Sequence, residues 1–182
     1  MARRGQAAQL EVHESVSSEL IETLLGRLGI AFERYDHAPV YTCEEAEQAV
    51  PATGAVHTKN LFLRDKRGRR HVLLVTTCST IVNVKSFAKQ VGADNLSFAS
   101  PERLMRYLGV TPGSVTVLGL ARDTERAVEV VIDESVWRAP RLHAHPLVNS
   151  ATLVLTHDGL ERFLEHTGHV PRVLVVEGAT AT

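Results

Sequence analysis

Ala55-Val56-His57-Thr58-Lys59-Asn60-Leu61-Phe62-Leu63-Arg64, then Asp65-Lys66-Arg67-Gly68-Arg69-Arg70, then Val72-Leu73-Leu74-Val75-Thr76 is the stretch on which the fold turns. The first and last runs have the alternating and β-branched character of strands. The charged hexapeptide between them carries a glycine at the bend, which reads as a hairpin turn. An antiparallel pair therefore stands near the middle of the chain. Both sides of it alternate between helical and strand patterns.

Upstream, Ser15 or Ser17 caps an expected helix reaching about Leu28, with Leu20, Ile21, Leu24, Leu25 and Leu28 on one face and Gly29 as its stop. Phe32–Asp36 reads as a short strand. Thr42 followed by Glu44 and Glu45 reads as a capped helix with acids in its first turn. Downstream come a helix over Lys85–Val91 closed by Gly92, a strand over Leu96–Ala99, and a helix opened by Ser100-Pro101-Glu102 and ended near Gly109. Val110–Leu120 is rich in turn residues. Strands follow over Val128–Ile132, Arg141–His145 and Ala151–Thr156, with one helical turn over Asp133–Trp137. A helix over Asp158–His166 and a strand over Val173–Val176 complete the pattern. Strands joined by both hairpins and helices imply an α+β fold: a single compact domain with a central mixed, largely antiparallel β-sheet flanked by helices. The expected boundaries are a loose tail over 1–14, the domain over 15–178 and a frayed end over 179–182.

With 182 residues, 44% hydrophobic and 23% charged, the chain is long enough for one sizeable core. No apolar run reaches the roughly 20 residues of a membrane span, and no signal core follows Arg3 and Arg4, so a soluble cytoplasmic protein is expected. A net charge of −1 advertises no global affinity for nucleic acid, so any RNA contact must use a local patch. Cys43 and Cys78 lack CxxC spacing and are expected as free thiols. Neither a dinucleotide fingerprint nor a P-loop occurs.

Four groups of residues could carry chemistry. Lys59 shares a strand face with Leu61 and Leu63, while Asn60 shares the other with Phe62. Such a lysine either lies on an exposed edge, its stem over apolar surface, or meets a polar or anionic partner. Thr111-Pro112-Gly113-Ser114 is either a plain turn or a loop whose backbone N–H groups approach a ligand oxygen. His143 and His145 could point the same way along a strand as metal ligands, but no third ligand accompanies them, so neither a metal nor a cofactor is expected. His145 before Pro146 is held extended, which could set a ring at a strand end beside a pocket. Lys66, Arg67, Arg69 and Arg70 form either a solvated turn or a track for a phosphate backbone. No nucleophile elbow or catalytic cysteine setting is present, so a hydrolase would use water or the substrate's own hydroxyl.

Taken in order, Asp36–Thr42, His57–Leu63, Leu108–Thr116 and His145–Thr152 resemble the YbaK/prolyl-tRNA-synthetase-associated domain family. Their order and spacing fit its freestanding alanyl-tRNA(Pro) deacylase branch, often called ProX or PrdX, and span about Leu24 to about Val176. The resemblance implies a compact YbaK-like fold and hydrolysis of the ester between alanine and the terminal ribose of proline tRNA. It implies Lys59, His145 and Gly113 as catalytic residues, and Asn60, Ser114, Thr42 and Asn149 as substrate-binding residues. The one departure is the more polar strand Arg141-Leu142-His143-Ala144, which leaves His143 as spectator or participant. The implied partners are mischarged tRNA(Pro) and prolyl-tRNA synthetase, with neither membrane nor DNA. Two alternatives remain: cysteinyl-, seryl- or threonyl-tRNA as substrate, or a non-catalytic module binding tRNA or synthetase.

Overall fold

The computed structural model describes residues 18–177. The expected tail over 1–14, the Ser15 or Ser17 cap and the frayed end over 179–182 lie outside the described residues. The chain runs α1 (18–27), β1 (Phe32–Asp36), α2 (Cys43–Ala49), β2 (Thr58–Asp65), β3 (His71–Thr77), α3 (Val84–Gln90), β4 (Leu96–Phe98) and α4 (Pro101–Leu108). A 3₁₀ turn (Val117–Arg122) leads to β5 (Val128–Asp133), α5 (Glu134–Trp137), β6 (Arg141–Ala144), β7 (Ala151–Thr156), α6 (His157–Thr167) and β8 (Arg172–Leu174). No described helix is long and apolar enough to cross a membrane.

The expected α+β domain with mixed, largely antiparallel pairing is present, and its strands divide into two sheets. One has the order β1-β7-β6 and is wholly antiparallel. The other has the order β4-β2-β3-β5-β8, antiparallel on the β2 side and parallel from β3 through β5 to β8. An isolated parallel bridge between Val56 and Leu142 joins them.

The charged hairpin forms as its residues dictate. Gly68 takes the left-handed conformation (φ 66°), and the Asp65 carboxylate accepts from the Arg69 and Arg70 N–H groups, closing the turn. β3 is buried on both faces. Leu73 and Val75 enter the large core shared with Leu25, Leu142, Leu153 and Phe163, whereas Val72 and Leu74 join a smaller core against Phe87 of α3 and Val91 just after it. That double burial explains its unbroken apolar run. In α1, Ile21 and Leu25 are buried, but Leu20 is 57% exposed and lies off the expected apolar face. The last strand covers Arg172–Leu174 rather than 173–176. Cys43 and Cys78 are not free thiols. They form a disulfide across a sequence separation of 35, with Cα atoms 5.7 Å apart, a relation no local spacing could announce.

Candidate active site

A cavity of about 190 Å³ opens where the N-terminal end of β2 meets the end of β6, and Thr42, Lys59, Asn60, Gly113 and His145 all line it. Thr58, Lys59 and Asn60 are consecutive lining residues. Since successive strand side chains point to opposite faces, the cavity lies along the strand's edge. That edge is open because β4 pairs only with Leu63–Asp65 of β2.

Lys59 is half-buried, and its Nζ donates to the Cys78 carbonyl (3.2 Å) and to the Thr80 carbonyl. An ammonium has three donors, so one is left for a ligand. Burial lowers its pKa from the ordinary lysine value, with Glu44 acting in the opposite sense. The polar partners foreseen for this lysine are thus backbone carbonyls. Beside it, Asn60 Oδ1 is buried with no hydrogen-bond partner.

His145 Nδ1 lies 3.0 Å from the Ala151 carbonyl. A carbonyl only accepts, so Nδ1 carries the proton and Nε2 keeps its lone pair. Burial pushes the His145 pKa down, the Ala151 contact opposes this and His37 adds to it. The ring is therefore a neutral acceptor at neutral pH.

Gly113 has φ 91°, and a Cβ there would come within 3.3 Å of the Tyr41 ring. The tight turn thus uses a glycine for its backbone conformation and for closeness to Tyr41. Its neighbour Ser114 is buried behind the wall and does not line the cavity, and its N–H donates to the Thr111 carbonyl. None of the hydrogen bonds among the described residues uses the Gly113 N–H, so of the two backbone donors in this loop it is the available one. Asn149 also lies off the wall. It acts on the lining residue Val40 through paired bonds, Nδ2 to the Val40 carbonyl (3.1 Å) and the Val40 N–H to the Asn149 carbonyl (3.0 Å). Thr42 caps α2 in a complete capping box with Glu45.

His143 and His145 make no joint ligand pair, because β6 ends at Ala144 and the two rings have different partners. His143 is buried, with Nε2 2.8 Å from Thr53 Oγ1 and Nδ1 3.1 Å from His57 Nδ1. Burial, then the charge of His57, lowers its pKa to about 4. Among the described residues no group of three His, Cys, Asp or Glu side chains is placed to hold a metal ion. In the hairpin, Lys66, Arg67 and Arg69 are exposed, but Arg70 is committed to Glu129 (2.7 and 2.8 Å) and to the carbonyls of Val91 and Gly92. Sequence reasoning missed Tyr41 and the two cysteines as wall residues. Tyr41 stood inside a quoted motif, whereas nothing in the sequence paired the cysteines.

The aminoacyl-tRNA editing domain family matches residues 37–163, well over half of the chain, and the protein belongs to that family. It is an aminoacyl-tRNA deacylase, a hydrolase of the ester that joins an amino acid to tRNA. The chain is 38% identical over 145 residues to the prolyl-tRNA editing protein ProX of Acetoanaerobium sticklandii, covering 80% of this chain and 88% of that one. It is also 38% identical over 156 residues to prolyl-tRNA synthetase associated domain-containing protein 1 of Danio rerio, covering 85% and 84%. A crystal structure described as a candidate trans-editing enzyme for prolyl tRNA synthetase shares the fold, with a TM-score of 0.68 at 21% identity over 89% of this chain and 98% of that one.

Proposed function

We propose that this chain removes alanine wrongly attached to tRNA(Pro), working in the cytoplasm alongside prolyl-tRNA synthetase. The observation that carries the reading is the convergence of Lys59, Asn60, Gly113 and His145 on one small cavity at an open strand edge. The names of the relatives point to proline tRNA.

The chemistry follows from the groups present. A water molecule attacks the ester carbonyl carbon, a tetrahedral oxyanion forms, and the bond to the ribose oxygen breaks. The products are a free amino acid and a tRNA with its terminal hydroxyl restored. The remaining Lys59 donor and the Gly113 N–H stabilise the oxyanion. His145 Nε2 accepts a proton from the water, or from the ribose hydroxyl that relays it, and returns it to the leaving oxygen. A rotation of the Asn60 amide, whose Oδ1 is buried, brings that oxygen to the substrate's α-ammonium. An unmatched buried acceptor costs about 1–3 kcal/mol, so the incoming donor relieves a penalty already present.

Editing is needed because apolar size discriminates weakly: each missing methylene is worth only about 1–3 kcal/mol, and alanine lacks just two of proline's ring carbons. A second site that admits alanine and lacks room for the pyrrolidine ring supplies the rest. Alanine also offers three ammonium hydrogens to Asn60 where proline offers two. Deacylation rates measured side by side on alanyl-, prolyl-, cysteinyl-, seryl- and threonyl-tRNA(Pro) test this. Alanine is expected to be removed fastest and proline spared. Equal rates on alanine and proline would refute the proposal, and preference for another amino acid would move the substrate.

A further inference from the structure

The disulfide between Cys43 and Cys78 has no place in the chemistry above, yet both cysteines line the cavity. Cys43 is the first residue of α2, directly after Thr42. Cys78 follows β3, and its carbonyl accepts from Lys59 Nζ while its N–H donates to the His57 carbonyl (2.9 Å). The bond therefore joins one wall of the cavity to the segment that holds the lysine.

α2 depends on that bond to an unusual degree. None of its seven residues is buried, and its inward face is only the half-buried Cys43, Ala46 and Ala49, small side chains that fix a helix weakly. Its own interactions are local: the Thr42 hydroxyl accepts from the Glu45 N–H, and the Glu45 carboxylate accepts from the Tyr41 and Thr42 N–H groups. Those bonds preserve the helix but do not attach it to the sheets. The flanking residues Val40 and Val50 are buried and anchor the ends of the segment. Between those anchors, the disulfide is the covalent tie to the β3 side of the cavity. A helix anchored by little burial is drawn from the low-stability end of a structure, where local release costs least.

We propose that the Cys43–Cys78 disulfide is a redox-sensitive positioning element of this cavity. Oxidised, it holds α2 and the Cys78–Thr80 segment in the arrangement that fixes Lys59. Reduced, it frees α2 and loosens the carbonyls that hold the lysine. The switching step is thiol–disulfide exchange with a dithiol. One thiolate of the reductant attacks a sulfur of the pair, the Cys43–Cys78 bond breaks, and the second reductant thiol resolves the mixed disulfide. Two electrons and two protons pass to the cysteines, and the reductant leaves as its own disulfide. The activity half of this inference rests on the deacylase reading; the structural half does not.

The experiment compares three forms of the full chain: oxidised wild type, wild type reduced with dithiothreitol and shown by thiol titration to be fully reduced, and the double variant Cys43→Ser, Cys78→Ser. Hydrogen exchange is expected to be at least about tenfold faster over residues 43–49 and 78–80 in the reduced protein and the double variant, with β3 and β5 unchanged. Single-turnover hydrolysis of alanyl-tRNA(Pro) is expected to slow by about tenfold or more in both, with the Kd for tRNA held within about twofold. Reoxidation restores the wild type and leaves the variant unaffected. Equal exchange in oxidised and reduced protein, an equal or faster rate on reduction, or a double variant that still responds to dithiothreitol would each overturn the proposal. If no form hydrolyses any mischarged tRNA, the deacylase reading fails, and the exchange data still decide whether the disulfide holds the cavity wall.

Discussion

Acidification should destabilise this protein through His143, by an amount that can be worked from its surroundings. The ring is buried against His57 and Thr53, and its pKa is lowered from the ordinary 6.5 to about 4. A histidine whose folded pKa is depressed costs the native state nothing while it is neutral in both states. Below about pH 6.5 the unfolded chain takes up a proton that the folded chain refuses, so stability falls as pH drops, until the folded ring also protonates near pH 4. Between about pH 7.5 and pH 5 the unfolded state gains close to 30-fold in relative weight from this group, or about 2 kcal/mol. That is a large share of the 5–15 kcal/mol typical of a domain. Urea unfolding of wild type and His143→Gln at both pH values isolates the contribution, because every other titrating group is common to the two proteins. The wild type is expected to lose about 2 kcal/mol more than the variant on acidification. Identical losses would refute the assignment of the penalty to this ring.

Lys59→Met should lower single-turnover hydrolysis of alanyl-tRNA(Pro) by about 10²–10³, the usual cost of removing one oxyanion donor, while circular dichroism shows a retained fold; a folded variant with more than half of wild-type activity would contradict the role given to the lysine. Because the lowered His145 pKa makes the ring a neutral base, kcat/KM should decline on the acid side with a midpoint below 6.5 and lose that limb in His145→Gln. A midpoint at or above 6.5, or an unchanged profile in the variant, would count against it. Neutralising the exposed Lys66, Arg67 and Arg69 should reduce the salt dependence of tRNA binding by roughly 0.7–0.9 per lost phosphate contact without changing which amino acid is removed; an unchanged slope would make the hairpin a solvated turn. Arg70 is left out of that set because its pairing with Glu129 is structural.

What was legible in the sequence was local. The hairpin could be read because Gly68 sits in a charged turn between two apolar runs, and α2 because Thr42 and Glu45 form a capping box three residues apart. Lys59 stood out as a charge among alternating apolar residues. What escaped depended on contacts between distant segments. The Cys43–Cys78 bond spans 35 residues, the Arg70–Glu129 pair 59 and the His57–His143 contact 86. Each residue by itself is an ordinary cysteine, arginine or histidine. The division into two sheets escaped for a related reason: periodicity assigns a strand's faces but not its neighbours. Ser114 adjoins a cavity residue in sequence but is itself buried and off the cavity wall, a difference that motif spacing does not reveal.

The placement of Lys59 beside His145 follows from the seam between the two sheets. Val56 and Leu142 form a parallel bridge, supported by the Val56 N–H to the Arg141 carbonyl and the His143 N–H to the Val56 carbonyl, both 3.0 Å. In a parallel pairing, equal steps along both chains stay abreast. Three residues beyond Val56 is Lys59, and three beyond Leu142 is His145. The Thr58 hydroxyl donates to the His143 carbonyl (2.7 Å), maintaining contact one residue short of Lys59 and two short of His145. Just past it β6 has ended and β2 has no partner on its outer edge, so the two strands part and leave a gap. The same short seam therefore sets the register of the two residues and opens the space into which both side chains reach. The acid-sensitive His143 lies within this seam, which ties the stability of the fold to the geometry of the site.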